Sequence, residues 1–310
     1  MNYLQNIYRD RLKTKKSQLD KIRPISPAIL SKIREKLKIA ATYNSNAIEG
    51  NTLTLKETFL VINEGITVRG KSLKEHLEAQ NHYEAIDYLY DIVGQKSKIE
   101  PSEKLIREIH KLICSDTLKE EAGNYRKSNV IINGSTHQPP VVAEISPLMD
   151  ELVQYWKLNE RRMNPVELAA IIHHKIVYIH PFTDGNGRTA RAIMDLILLR
   201  NGYPLAIVLK NDRKKYYKYL SMADADNYKP FVSFIAQTVN WSLDLYLEAL
   251  SDKVTSYLSL SQLAKRFKLT ERHLNLLCRN GKLEAHKEGR IWVAAVISVE
   301  KYLSTRIRQR

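Results

Sequence analysis

Along most of the chain, apolar residues return every three or four positions, the spacing of a one-sided helix. The segments SPAILSKIREKLKIAATYN (26–44) and VELAAIIHHKIVYI (166–179) show it clearly. SEKLIREIHKLICSDTL (102–118) adds Ser102 as an N-cap ahead of apolar Leu105, Ile109, Leu112 and Ile113. MDLILLRNGYP (194–204) predicts a helix end at Asn201-Gly202, with Pro204 beyond it. KPFVSFIAQTVNWSLDLYLEAL (229–250) reads as one long buried helix.

One segment departs from this period. RKSNVIINGSTHQPP (126–140) places β-branched residues before Asn133-Gly134, a strong short hairpin signal, and Pro139 and Pro140 stop its second strand. A small hairpin is expected, leaning on a helical body or receiving a partner strand, since an isolated hairpin is marginal in water. The last stretch, SLSQLAKRFKLTERHLNLLCRNGKLEAHKEGRIWVAAVISVEKYL (259–303), predicts helix, turn, helix, hairpin and helix. Ser259 or Ser261 starts its first helix, Thr270 caps the second, Asn280-Gly281 ends it, and Glu288-Gly289 turns the hairpin. The fold class is therefore all-α with a small β-hairpin flap, plus this C-terminal unit. The expected division is 1–98, 99–250 and 255–310, with the boundary near LSDKVTSYLSLS (250–261).

Composition fits an ordinary globular chain: 310 residues, 44% hydrophobic and 27% charged. No apolar run reaches the roughly 18 residues of a membrane span, and the N-terminus has no secretion signal, so a cytoplasmic protein without a membrane partner is expected. The two cysteines, Cys114 and Cys278, are far apart and suit a reducing compartment. Net charge is +15, and residues 255–310 carry twelve Lys/Arg against four Asp/Glu. Such a surface attracts phosphates, in nucleotides or nucleic acids.

The candidate chemistry is concentrated in IHPFTDGNGRTAR (179–191). Pro181 ends a helix at His180. Gly185-Asn186-Gly187 allows a tight turn that feeds a new helix, and a glycine turn at a helix N-terminus is an anion site suited to phosphate. Arg188 and Arg191, three apart, share a helical face and can reach one polyphosphate. Asp184 beside that site makes sense with Mg²⁺ between carboxylate and phosphate. His180 is then free to act as general base. The plainer alternative for each residue is structural: a packed helix-end histidine, a turn aspartate, a solvated arginine pair. A metal site on His173, His174 and His180 is disfavoured, because the first two are adjacent and the third lies beyond the helix face of either.

HPFTDGNGRTAR (180–191) resembles the signature of Fic domains, His-x-Phe-x-Asp/Glu-Gly-Asn-Gly-Arg-x-x-Arg, at every specified position. The resemblance spans roughly residues 35–245 and includes a flap-like segment (123–140) and the helix after the site. It implies transfer of AMP from ATP to a Ser, Thr or Tyr hydroxyl of a protein, with release of pyrophosphate. By that resemblance His180 deprotonates the hydroxyl and Asp184 holds Mg²⁺. Amides around Gly185, Asn186 and Gly187, with Arg188, stabilise the transferring phosphate, and Arg191 binds the γ-phosphate. Phe182 anchors the loop, and Asp224 lies where relatives contact nucleotide. The flap edge would dock the target through backbone bonds, with Val130 and Ile132 clamping the base or sugar.

SNAIEGNTLTL (45–55) is similar to the inhibitory motif Ser/Thr-x-x-x-Glu-Gly/Asn of Fic proteins that carry it on an N-terminal helix. Ser45 opens that motif, and its Glu49 would pair with Arg191 and keep it from ATP. The resemblance thus implies an autoinhibited enzyme, whose release by Glu49→Gly is expected to raise AMP transfer or self-modification. The alternatives are AMP removal, transfer of another phosphate-linked group, and a DNA-binding regulator that uses the nucleotide site as a sensor. The C-terminal unit is similar to winged helix-turn-helix modules. Arg272, His273, Asn275 and Arg279 would lie on the helix that enters the major groove, with Lys287 and Arg290 on the wing. DNA, a target protein or a second copy in a homodimer are its candidate partners.

Overall fold

The computed structural model describes residues 3–95, 100–132, 134–250, 257–288 and 291–307, without the side chains of 304–307. Among the described residues ten α-helices form the body: α1 (Asn6–Ile22), α2 (Pro27–Ile48), α3 (Leu55–Glu64), α4 (Leu73–Gly94), α5 (Glu103–Leu118), α6 (Val142–Asn159), α7 (Pro165–Ile179), α8 (Asn186–Arg200), α9 (Arg213–Asp224) and α10 (Lys229–Leu250). A C-terminal module follows: β1 (Tyr257–Ser259), α11 (Leu260–Phe267), α12 (Glu271–Arg279), β2 (Ala285–Glu288), β3 (Ile291–Ala295) and α13 (Val296–Ile307).

The helix signals act where the sequence puts them. Ser102 accepts from the Leu105 amide to cap α5, Ser259 and Gln262 form a capping box on α11, and Thr270 caps α12. α10 covers residues 229–250. α2 starts at its Ser26 cap and runs on to Ile48, so Glu49 becomes its C-cap.

α7 and α8 pack along each other at the centre, with α4, α5 and α10 around them. One apolar core runs from Leu4 of the N-terminus through Trp156, Phe182 and Phe231 to Tyr246. A second core, Leu260, Leu263, Leu274, Leu277, Leu283 and Val299 among others, belongs to the C-terminal module alone. Its sheet has the order β1-β3-β2, antiparallel throughout. Polar contacts join module to body: Lys15 of α1, which also pairs with Asp244 of α10 at 2.5 Å, reaches Glu284 of the module at 3.3 Å, and Arg11 donates to the Leu283 carbonyl at 3.0 Å. The boundary stretch 251–256 and Gly289 of the expected wing turn lie outside the described residues.

The flap departs from expectation. A turn is present, closed by the Ser135 amide on the Ile132 carbonyl at 3.2 Å, with Gly134 left-handed at φ 78°. Among the described residues of 127–140, however, no strand pairing forms. The two arms are tied through a side chain instead: Arg126 donates to the carbonyls of Ser128 and Pro140, at opposite ends. Pro139 and Pro140 have no amide hydrogen to give a ladder. Side-chain alternation nevertheless survives: Val130 and Ile132 are half-buried, while Ile131 between them is 89% exposed. The flap also leans on the body, where the His137 ring lies 4.3 Å from Tyr178 and bonds its carbonyl at 2.8 Å.

Candidate active site

The site is built at the junction of α7 and α8. α7 ends because Pro181 follows, and His180 takes the left-handed C-cap position at φ 50°. Its carbonyl accepts from Arg126 Nε at 2.9 Å, and Nδ1 faces the Val177 carbonyl at 3.3 Å. The ring proton therefore belongs on Nδ1, leaving the Nε2 lone pair free. Burial, the largest effect, lowers the His180 pKa, and Arg126 lowers it further. Both favour a neutral imidazole able to accept a proton.

The loop is pinned from below. Phe182 is fully buried and stacks on His110, with centroids 3.7 Å apart. Asn186 closes the turn on Phe182: its Oδ1 accepts from the Phe182 amide at 2.9 Å, and its Nδ2 donates to the Phe182 carbonyl at 2.8 Å. Its side chain is thus committed to the loop, leaving only its amide for a ligand. His110 adds a second pin. Its Nδ1 accepts from the Gly123 amide at 2.8 Å, so its Nε2–H donates to the Asp184 carbonyl at 3.0 Å. Burial pushes its pKa down to about 4, so this relay stays neutral.

Gly185 is the left-handed N-cap of α8 at φ 77°, and a Cβ there would meet Cys114 Sγ at 2.5 Å. The first turn of α8 presents the amides of Asn186, Gly187 and Arg188 with the positive end of the helix dipole. Arg188 is only 2% exposed, and its Nε and Nη1 have no hydrogen-bond partner. Charge neighbours only partly offset it: Glu78 at 3.3 Å and Asp184 at 3.5 Å. An under-satisfied buried guanidinium beside a helix N-terminus is a receptive setting for phosphate. Asp184 keeps its side chain 44% exposed and lies 3.6 Å from Lys74 Nζ. Burial would raise its pKa, but Arg188, the Gly185 amide and Lys74 together hold it below the ordinary value. A half-exposed, ionised carboxylate at this edge suits a divalent cation.

Arg191 is already occupied. Its Nε donates to Ser45 Oγ at 2.9 Å, and its Nη2 donates to the Ser45 carbonyl at 2.9 Å and to Glu49 Oε1 at 2.7 Å. Burial opposes its charge, yet Glu49 more than compensates and the pKa is raised. Glu49 also fills the cradle: a Cβ on Gly187 would run into its carboxylate.

The signature HPFTDGNGRTAR, folded this way and latched from α2, decides the family. The chain belongs to the Fic/DOC family. That family's model matches residues 100–198. A protein adenylyltransferase Fic of Nematostella vectensis is 41% identical over 207 residues, 66% of this chain and 48% of the relative. One of Drosophila erecta is 38% identical over 253 residues, 80% of this chain and 50% of the relative. The chain thus spans about half the length of the curated relatives it matches. Among solved structures, Fic-1 (residues 134–508) of C. elegans is 30% identical, with TM-score 0.71, over 79% of this chain and 73% of that one. A Fic domain containing signaling protein of Bacteroides thetaiotaomicron is 29% identical, with TM-score 0.72, over 77% and 96%.

The Fic loop brings together His180, Asp184, Gly185, Gly187, Arg188 and Arg191, and adds Ser45 and Glu49 from α2. Other candidates lie elsewhere or are engaged. Ile132 sits half-buried on the flap. The three histidines have separate partners: His173 bonds Tyr216 at 2.9 Å, His174 bonds Asp224 at 2.9 Å, and His180 faces Val177. That pairing occupies Asp224, whose expected role was a nucleotide contact. In the module, Lys287 does not face outward for phosphate: its Nζ bonds Asp212 of the body at 2.8 Å, because the wing docks there. Arg290 lies outside the described residues.

Several residues here went unread in the sequence. His110 had a signal, a polar residue on the apolar stripe of Ile106, Ile109 and Ile113. Arg126, Glu78, Lys74 and Tyr216 had none, since each reaches the site from a segment distant in the chain.

Proposed function

We propose that this protein is an autoinhibited protein adenylyltransferase, moving AMP from ATP to a Ser, Thr or Tyr hydroxyl of a protein. The observation that carries the reading is the pair of arginines on α8: Arg188 buried without full partners, Arg191 held by Ser45 and Glu49. The names of the Nematostella and Drosophila relatives support it.

In this reading the α8 amides, Arg188 and a freed Arg191 hold the triphosphate. Asp184 would hold Mg²⁺, which would neutralise charge on the phosphate oxygens. The target lies along the flap, with Val130 and Ile132 against base or sugar. His180 Nε2 takes the hydroxyl proton as its oxygen bonds to the α-phosphorus. The bond to the bridging oxygen breaks and pyrophosphate leaves. Positioning and fixed dipoles supply most of the acceleration. Self-modification follows where a hydroxyl of a second copy meets the same site, and a homodimer is the assembly that would allow it. The functional regions are the brake within 1–98, the catalytic part 99–250 and the module 255–310. A cytoplasmic setting fits the two free, buried cysteines.

The test is mass spectrometry of a lysate given ATP and Mg²⁺. The Glu49→Gly protein should add one AMP to protein targets, and Glu49→Gly with His180→Ala should add none. Nucleotide binding without any modified protein would overturn the reading.

Two contacts favour further readings. Glu49 stands at the cradle, where a carboxylate can orient a water, which favours AMP removal; release of AMP from a modified target by the wild type, lost in Glu49→Gly, tests it. α12 buries Leu274, Leu277 and Cys278 and leaves Arg272, Leu276 and Arg279 outward, which favours DNA. Duplex binding that weakens with salt and with Arg272→Glu tests that, and no binding at low salt removes it.

A further inference from the structure

The latch on Arg191 has a support of its own. The short turn Lys210–Asp212 and the first turns of α9 touch it three times. The Lys210 amide donates to Asn44 Oδ1 at 2.8 Å, and Arg213 Nε donates to the Ile48 carbonyl at 2.7 Å. The Tyr216 hydroxyl accepts from Arg191 Nη1 at 3.3 Å. Asn44 and Ile48 belong to the last turns of α2, and Ile48 directly precedes Glu49. Displacing residues 210–213 therefore unties the end of α2 that carries the latch.

This support is held in turn from the C-terminal module. Lys287 of β2 reaches across to Asp212, with Nζ 2.8 Å from Oδ1 and both side chains mostly covered. The same ammonium lies over Trp292, with Nζ 5.8 Å from the ring centroid. The Lys15–Glu284 and Arg11–Leu283 contacts fasten the module to α1, an element that carries no part of the latch. Lys287–Asp212 alone among these lands on the segment that grips α2.

We propose that the C-terminal module is a working part of the brake: the Lys287–Asp212 pair holds residues 210–213 in place, these hold the end of α2, and lifting the module frees Glu49 from Arg191. This rests on the reading of Glu49 as a brake and extends it to the wing. A mostly covered charge pair between module and body suits such a role, being strong enough to bias a contact and open to competition from a partner on the module.

The experiment uses the full chain. Lys287→Met keeps an unbranched side chain of similar size and removes the ammonium; Asp212→Asn removes the other charge; Lys287→Asp with Asp212→Lys restores the pair reversed. Hydrogen exchange of the amides of 44–49 and ATP affinity with Mg²⁺ are measured, with Glu49→Gly as reference and thermal unfolding to confirm folding. Each single variant should raise exchange at 44–49 several-fold and ATP affinity three- to tenfold, less than Glu49→Gly, and the swap should bring both back. Wild-type exchange and affinity in both single variants overturn the proposal, as does a swap that behaves like the singles. Should Glu49→Gly itself leave ATP affinity unchanged, the brake reading fails and this proposal with it. Exchange at 44–49 then still reports whether wing and α2 are mechanically linked, so the two failures are told apart.

Discussion

Glu49 lies against Gly187 so closely that a side chain on the glycine would collide with it, while the same carboxylate takes a hydrogen bond from Arg191 at 2.7 Å. One residue of α2 thus occupies both a wall of the anion cradle and its outer cation. ATP and Glu49 compete for one place. Removing the carboxylate forfeits a charged hydrogen bond of about 1.5–3 kcal/mol. Glu49→Gly should tighten ATP by roughly ten- to a hundredfold. Ser45→Ala, which loses only the bond from Arg191 Nε, should gain a few-fold. Titration calorimetry with ATP and Mg²⁺ measures both; a Ser45 effect exceeding that of Glu49 would reverse the assignment.

Gly185 should tolerate no side chain. Its φ of 77° and the nearness of Cys114 Sγ add strain to overlap. Gly185→Ala is expected to cost about 2 kcal/mol or more, lowering Tm by several degrees, and to loosen the loop around Asp184. Calorimetric unfolding gives the first, and exchange of the 182–188 amides gives the second. A Tm equal to wild type would show that the loop relaxes at no cost.

Arg126 joins three carbonyls: His180 at the catalytic turn, and Ser128 and Pro140 at the flap ends. Arg126→Lys keeps the charge and loses the fork. In the Glu49→Gly background it should raise KM for a protein target about tenfold while ATP affinity changes little, because the flap meets the target and α8 meets the phosphates. Steady-state kinetics with each substrate varied separates the two. Equal effects on both would place Arg126 in loop stability instead.

Acid should undo the pinning of the loop. His110 is held neutral with its pKa near 4, against about 6.5 when unfolded. The unfolded chain therefore binds more protons between these values, so this contribution is full above about pH 6.5 and is lost as pH falls through about 4. His110→Gln should flatten the fall in Tm across that window. His180, also lowered by burial, should stay a competent base somewhat below the ordinary histidine range. The acid limb of the pH–rate profile of Glu49→Gly is then expected below pH 6.5, and a limb above 7 would contradict it.

Much of this site could be read in twelve consecutive residues. A helix stop at His180, a glycine turn and a new helix are decided by neighbours in the chain, so HPFTDGNGRTAR carries its own geometry. Ser45 and Glu49 were legible as well, through the resemblance of SNAIEG to the inhibitory motif of Fic proteins. The helices themselves followed from apolar period and caps, as with Ser102, Thr270 and the span 229–250.

Tertiary structure alone decided what those residues touch. Arg126 gathering the flap, Glu78 beside Arg188, His110 under Asp184 and Lys287 on Asp212 are contacts between distant segments, set by how helices pack. The flap turn was written in Asn133-Gly134, but strand pairing needs a ladder partner, and without one the arms were tied by a guanidinium. Local sequence fixes backbone conformation through sterics and capping over a few residues. Which charges meet depends on the packing of the whole core, and no short spacing records it.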